Sequence, residues 1–360
     1  MKIEFGVLLL ALLALLVNGC DQPAPVEKGF AGLGNQAAEF TKVVPGRVFS
    51  FPADHGPHDG FRIEWWYITA NLKDAQGHEF GAQWTLFRSA LKATPEGAGW
   101  QNQTIWLGHA AVTSATVHHA AERYARGGVG QAGVSVAPFN AWIDDWQLSS
   151  QATADDPLAD LLLSARDKRF SYRLRLTSTG PLVLQGDKGF SQKSEQGQAS
   201  YYYSQPFFQA SGALEIDGQT FQVSGPAWLD REWSSQPLTA NQSGWDWFSL
   251  HLDSGEQVML YRMRQKNGEP YLTGTWIDAR GQTQLLHASD ISLTPQDKAS
   301  VAGREMPIRW SIKIPSRHLD IAITALNPQA WMDLRIPYWE GPVRLSGSHA
   351  GNGYLEMTGY

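Results

Sequence analysis

At 360 residues the chain is long enough for two domains, and its formal net charge of −6 comes with no basic patch or polybasic run, which argues against a nucleic-acid surface. It is rich in tryptophan (15), glycine (35) and proline (19) and poor in long helical periodicity. No phosphate-binding glycine loop and no Gly-x-Ser-x-Gly elbow is present, which sets aside P-loop nucleotide chemistry and α/β-hydrolases.

The N-terminus reads as an export signal. Lys2 precedes an unbroken apolar run over residues 7–17, closed by Asn18-Gly19-Cys20. The run is too short to span a bilayer as a mature helix and ends on a small residue, as a cleavage site requires. Cys20 is the only cysteine, so no intramolecular disulfide can form. Its position resembles the lipobox of bacterial lipoproteins, in which the cysteine is acylated and becomes the new N-terminus. That implies a signal over residues 1–19, a lipid anchor at Cys20 and a periplasm-facing place in the bacterial cell envelope. Residues 20–43, rich in Pro, Gly and Ala, read as a flexible tether.

Short alternating segments fill the rest: Arg173-Leu174-Arg175-Leu176-Thr177, Thr220-Phe221-Gln222-Val223, Val258-Met259-Leu260-Tyr261 and Val343-Arg344-Leu345-Ser346. Turn signals at Asp217-Gly218, Asn267-Gly268 and Arg280-Gly281 separate strands. The pattern predicts an all-β chain of antiparallel hairpins, closed as barrels or sandwiches. Two halves are expected, over residues 44–224 and 225–360, each with a charged-aromatic segment near its start. Residues 150–160 and the polar stretch 292–304 read as surface loops.

Phe61-Arg62-Ile63-Glu64-Trp65-Trp66-Tyr67 is the most informative stretch. On a strand, Arg62, Glu64 and Trp66 face one way and Phe61, Ile63, Trp65 and Tyr67 the other. A carboxylate and a guanidinium facing inward form either a buried structural ion pair or one wall of a site. The corresponding stretch in the second half, Trp228-Leu229-Asp230-Arg231-Glu232-Trp233, places two carboxylates among aromatics. In Trp245-Asp246-Trp247, Asp246 faces away from both tryptophans, either as an exposed acid or as a site residue. His118, His119 and Glu122 have a spacing that suits metal ligation on a helix, against a solvated turn, and no further ligand set accompanies them; no metal and no cofactor is expected. His55, His58 and Asp54 share one Gly/Pro loop, which either binds a metal or caps a barrel mouth.

Taken together, Phe51-Pro52-Ala53-Asp54-His55-Gly56, Glu64-Trp65-Trp66-Tyr67, Asp230-Arg231-Glu232-Trp233-Ser234-Ser235, Tyr338-Trp339-Glu340-Gly341-Pro342-Val343 and Gly353-Tyr354-Leu355-Glu356-Met357-Thr358-Gly359-Tyr360 resemble the AttH-type family of secreted lipocalin-like proteins, related to carotenoid 1,2-hydratase and kievitone hydratase. The resemblance implies two lipocalin-like antiparallel β-barrels packed together. It implies an apolar, isoprenoid or lipid-like ligand, and a role as a hydratase, a hydrolase or an accessory to an ABC export permease.

A hydratase must protonate an alkene carbon and let water capture the cation. Its acid is a carboxyl kept protonated by burial, and aromatic faces stabilise the cation. On that reading Asp230, Glu232 and Glu64 are the candidate catalytic groups. Arg62 and Arg231 orient them, and Trp65, Trp66, Tyr67, Trp233, Trp245, Trp247 and Tyr261 form the ligand wall. The chain departs from the carotenoid hydratase pattern in two places. That pattern has His-Asn-Trp where Arg231-Glu232-Trp233 stands, and its acid follows the tyrosine matched by Tyr261, where this chain has Arg262-Met263. An arginine beside a carboxylate is also expected to keep it ionised. An apolar-ligand binding protein and a scaffold with structural inner charges stand beside the enzyme reading.

Overall fold

The computed structural model describes residues 39–360 apart from 94–96, 98, 153–155 and 237. The signal, Cys20 and most of the tether lie outside these residues, as does Asp155 of the first expected loop. The chain is nearly all β, with one nearly closed barrel sheet and one half-barrel.

The first sheet has 13 strands, and its path runs His118–Arg126, Thr104–Ser114, Glu79–Ala90, Ile63–Lys73, Gln219–Ser234, Ala199–Ile216, Phe170–Ser178, Asp160–Arg166, Trp146–Ser150, Phe139–Ile143, Ala132–Val136. The alternation read from the sequence sets its faces. Along Phe170–Ser178, Phe170, Tyr172, Leu174 and Leu176 are buried while Arg173 and Arg175 are exposed. The longest hairpin turns through Asp217 (φ 50°) and Gly218 (φ 82°), the two left-handed residues of a tight turn that matches strand twist. Its first strand shifts register between Gln205 and Phe208, beside Pro206, which has no N–H for the ladder.

The second sheet has ten strands, with the path Thr283–Leu286, Tyr271–Ile277, Gln257–Gln265, Gln242–Leu252, Gly351–Met357, Tyr338–Gly347, Leu319–Ala325, Arg309–Ile314, Ser292–Pro295. Two expectations change here. Residues 292–304 are not a loop: they carry Ser292–Pro295, Lys298–Val301 and the start of Arg304–Pro307, the last two pairing as a small third sheet. The chain crosses from the first sheet to the second between Ser234 and Gln242, not at residue 225, because Gln219–Ser234 pairs along its length with Ile63–Lys73 and Ala199–Ile216.

Each sheet wraps its own apolar core, and a third cluster joins them. The joining layer contains Tyr67, Tyr202 and Trp228 from the first sheet and Trp247, Met259, Tyr261, Met263 and Tyr354 from the second. Asn71 Nδ2 donates to the Gly353 carbonyl across it at 2.8 Å. Gly81 makes the close approach possible: a Cβ there would lie 2.8 Å from the Pro342 ring.

Candidate functional site between the two sheets

The alternation along Ile63–Lys73 decides where the chemistry lies. Its even positions, Trp66, Ile68, Ala70 and Leu72, fill the core of the first barrel. Its odd positions, Trp65 and Tyr67, face the second sheet. Gln219–Ser234 divides in the same way: Arg231 and Trp233 turn into the barrel, while Asp230, Glu232 and Ser234 line a cavity between the sheets. From the opposite wall come Trp245, Trp247, Tyr261, Met263 and Glu356. The cavity volume is about 120 Å³, several times the roughly 10–15 Å³ that one water requires.

The residues that the sequence placed together as one site therefore form two separate structures. Glu64 is fully buried inside the barrel, away from the cavity. It pairs with Arg231 at 2.5 Å and Arg88 at 3.2 Å, and accepts from the His58 backbone N–H at 2.9 Å. His58 bridges Glu64 through Nδ1 and Asp54 through Nε2, both at 3.1 Å, and stacks on Trp233 with centroids 3.9 Å apart. Burial alone would raise the Glu64 pKa, but Arg231, His58 and Arg88 hold it well below the usual carboxylate range. Glu64, Arg231, Trp66 and Trp233 are thus a structural ion and aromatic cluster, and none of them lines the cavity. Arg62 does not line it either; its backbone N–H donates to Ser235 Oγ at 3.3 Å. The loop with Asp54 and His55 closes this end of the barrel: both side chains are buried, and His55 Nδ1 meets Tyr203 OH at 2.6 Å.

The same division removes the expected ionising neighbour. Arg231 lies next to Asp230 and Glu232 in sequence but on the other face, with its guanidinium 3.8 Å from the Trp66 ring centroid. Asp230 has no ion-pair partner among the described residues. It accepts from Ser204 Oγ at 2.5 Å, Trp228 Nε1 at 2.6 Å and Tyr202 OH at 2.7 Å. Burial nevertheless pushes its pKa up to about 7; the three donors oppose the rise and the nearby Glu232 adds to it.

Glu356, from the terminal Gly353-Tyr354-Leu355-Glu356 stretch, is the third acid of the cavity, beside Asp230 and Glu232. It stands on Gly351–Met357, paired with Trp247 in register. Its single side-chain hydrogen bond among the described residues comes from Trp245 Nε1 to Oε1 at 2.6 Å. Burial pushes it up to about 7, with help from the charges of Glu232 and Asp230 and against the Trp245 bond. Behind it, Glu340 receives hydrogen bonds from Tyr67 and Tyr338, and burial with the Glu356 charge raises it well above its ordinary value. Tyr338 OH continues the chain to His109 Nδ1 at 2.9 Å.

Glu232 has different surroundings. Ser200 Oγ donates to it, and Lys193 Nζ lies 2.9 Å away. The Lys193 ammonium also sits 4.5 Å from the Tyr261 centroid and 4.9 Å from that of Tyr202. The aromatic faces of the joining layer thus already accommodate a positive charge. Asp246, expected as an exposed acid or a site residue, is not exposed and does not line the cavity. It is fully buried beneath Arg264 at 2.5 Å, Arg262 at 3.2 Å and Tyr360 OH at 2.9 Å, away from the cavity. Arg262, standing where a hydratase acid was expected, is one of its partners.

His118, His119 and Glu122 lie on a strand, not on a helix or in a turn, and the histidines have separate partners: Thr113 Oγ1 at 2.9 Å and Asp217 at 3.0 Å. Among the described residues no group of three His, Cys, Asp or Glu side chains is placed to hold a metal.

The model of the AttH-like family matches residues 42–360. The AttH-type protein NE1406 of Nitrosomonas europaea is 33% identical, with a TM-score of 0.77 over 89% of this chain and 100% of its own. Kievitone hydratase of Nectria haematococca shares the fold at 17% identity and a TM-score of 0.65, over 89% of this chain and 96% of its own. CghA, solved with Sch210972, does so at 12% identity and a TM-score of 0.53, over the same shares. None of the curated proteins matches the chain.

Proposed function

The chain belongs to the AttH-like family, and from that premise we propose that the cavity between its sheets takes an apolar, unsaturated ligand of isoprenoid or similar type and adds water to it. One observation carries the reading: two carboxyls, Asp230 and Glu356, converge from different sheets on an aromatic-lined cavity, and neither has an ion-pair partner among the described residues, the cavity's Lys193 being paired with Glu232. Near neutral pH such a pair is partly protonated, so one member can donate a proton while the other, ionised, accepts one.

Glu356 is the better donor, because one tryptophan N–H occupies one of its oxygens and its side chain lines the cavity. Its proton passes to an alkene carbon, and the π electrons form the new C–H bond, leaving a cation on the neighbouring carbon. The faces of Trp65, Trp247 and Tyr261 stabilise that cation. Water attacks it, and the surplus proton leaves to Asp230, whose carboxylate is held by Ser204, Trp228 and Tyr202. Transfer through solvent returns the proton to Glu356, and the balance is one water added.

A carrier that binds without turnover is the second reading. The pairing of Glu232 with Lys193 supports it, since that pair leaves only part of the acid set available for chemistry. Mass spectrometry of organic extracts, taken before and after incubation with bacterial isoprenoid lipids, separates the two. Turnover gives a species one water heavier that is absent with Glu356→Gln; a carrier returns the ligand unchanged, and an empty protein without product counts against both.

The proposal extends to location. The apolar run 7–17 closed by Cys20 supports an acylated, periplasm-facing envelope protein. Palmitate labelling that survives Cys20→Ala would overturn that part. A place beside an ABC export permease rests on the family resemblance alone.

A further inference from the structure

Among the described residues, the exposed large hydrophobic side chains all fall between residues 44 and 129. We propose that they form a membrane-docking rim, by which one end of the first barrel sits on a lipid bilayer with the cavity mouth beside it.

The backbone joins these residues at one end. Leu91 N–H donates to the Gln103 carbonyl, Asn102 to Gly99 and Gly99 to Gly128, while Ile105 pairs with Arg126. Trp100, 76% exposed, is held there by Arg126 donating to its carbonyl at 2.7 Å. The segment that plugs the same barrel end adds Val48, 87% exposed, and Phe51, whose ring lies 5.1 Å from that of Tyr203. It is tied to the first strand, since Ala90 N–H donates to the Arg62 carbonyl and Thr41 N–H to the Gly60 carbonyl, both at 2.8 Å. A group of this kind is larger than the single exposed side chains of an ordinary surface.

Three observations favour lipid over a protein partner. First, Trp100 is an exposed, amphipathic indole whose carbonyl is bonded by the exposed Arg126, and Lys42 and Lys92 on neighbouring segments are exposed too, which suits the headgroup boundary. Second, the described chain begins at this end, with Glu39 and Phe40 leading to Thr41, so 18 residues separate Cys20 from the rim (39 − 20 − 1). On the proposal that Cys20 is acylated, its anchor therefore lies within 18 residues of this end. Third, the strand ends of this rim also edge the cavity: Ile63, Ser234 and Ala199 line it, along with the part-exposed Gln198 and Gln236. Docking does not depend on the chemistry in the cavity; ligand entry from the bilayer does.

The test is flotation of the signal-processed chain carrying Cys20→Ser, which cannot be acylated, with phosphatidylethanolamine/phosphatidylglycerol vesicles and no cavity ligand. The rim predicts co-flotation that falls at least tenfold with Leu91→Ser plus Trp100→Ser. It also predicts fluorescence quenching by brominated lipid that Trp100→Phe removes. The melting temperature of each variant is measured alongside, since exposed positions should leave it unchanged. No flotation of the Cys20→Ser chain, or equal flotation of the folded rim variant, overturns the proposal.

Discussion

Glu356 and Asp230 reach one cavity from opposite sheets, Glu356 from Gly351–Met357 of the second and Asp230 from Gln219–Ser234 of the first. The pair exists only because the two sheets pack face to face. The Asp230 charge adds to the burial penalty on Glu356, so the protonation of one acid depends on the state of the other.

Burial of the two carboxyls makes stability fall as pH rises. Both carboxyls are raised in the folded state, so between about 4, the ordinary carboxyl value, and about 7 the native chain binds more protons than the unfolded one. Their stabilisation is complete below the unfolded values, falls at up to roughly 1.4 kcal/mol per pH unit for each group as pH rises towards 7, and is gone above it. Glu356→Gln removes one contribution. The variant's melting temperature relative to the parent should therefore climb between pH 5 and pH 8, by a few degrees or roughly 1–3 kcal/mol. A difference independent of pH would contradict the assignment.

Trp245→Phe deletes the N–H that lowers the Glu356 pKa. If Glu356 is the acid, the alkaline limb of the pH–rate profile moves to higher pH while the aromatic wall is kept. An unmoved limb, with only a change in KM, would assign Trp245 to ligand packing.

Glu64→Gln tests the ion cluster inside the barrel. The substitution leaves Arg231 and Arg88 buried without their carboxylate, which costs roughly 3–5 kcal/mol. Chemical denaturation should show this loss, and turnover per folded molecule should be unchanged. A stable but inactive variant would return Glu64 to the catalytic set.

Tyr67→Phe removes a donor to Glu340 in a site shut off from solvent. The expected loss is about 1–3 kcal/mol of stability at neutral pH, read from urea midpoints. No loss would mean that Tyr338 alone satisfies Glu340.

The faces of the strands could be read from residues 61–67, because side chains alternate with period two whatever the surroundings. What that period does not say is which face meets a barrel core and which meets another sheet. Glu64 and Asp230, both acids among tryptophans, therefore looked alike, and Arg231 looked like a partner of its sequence neighbours when it pairs across the sheet with Glu64. Glu356 lay in plain view in the terminal Gly353-Tyr354-Leu355-Glu356 strand, but its role depends on the first sheet lying opposite. Lys193 carried no local signal; it matters because Glu232, Tyr202 and Tyr261 surround it. In residues 292–304, charge and serine mask a two-stranded ladder, so the sequence alone suggests a loop.

The measurement closest to the central claim is an NMR titration of the carboxyl carbons of Asp230 and Glu356, assigned through Asp230→Asn and Glu356→Gln. The account predicts that both titrate near pH 7, and that filling the cavity with an apolar ligand moves both. Two carboxyls ionising in the ordinary acidic range, unmoved by ligand, would contradict it.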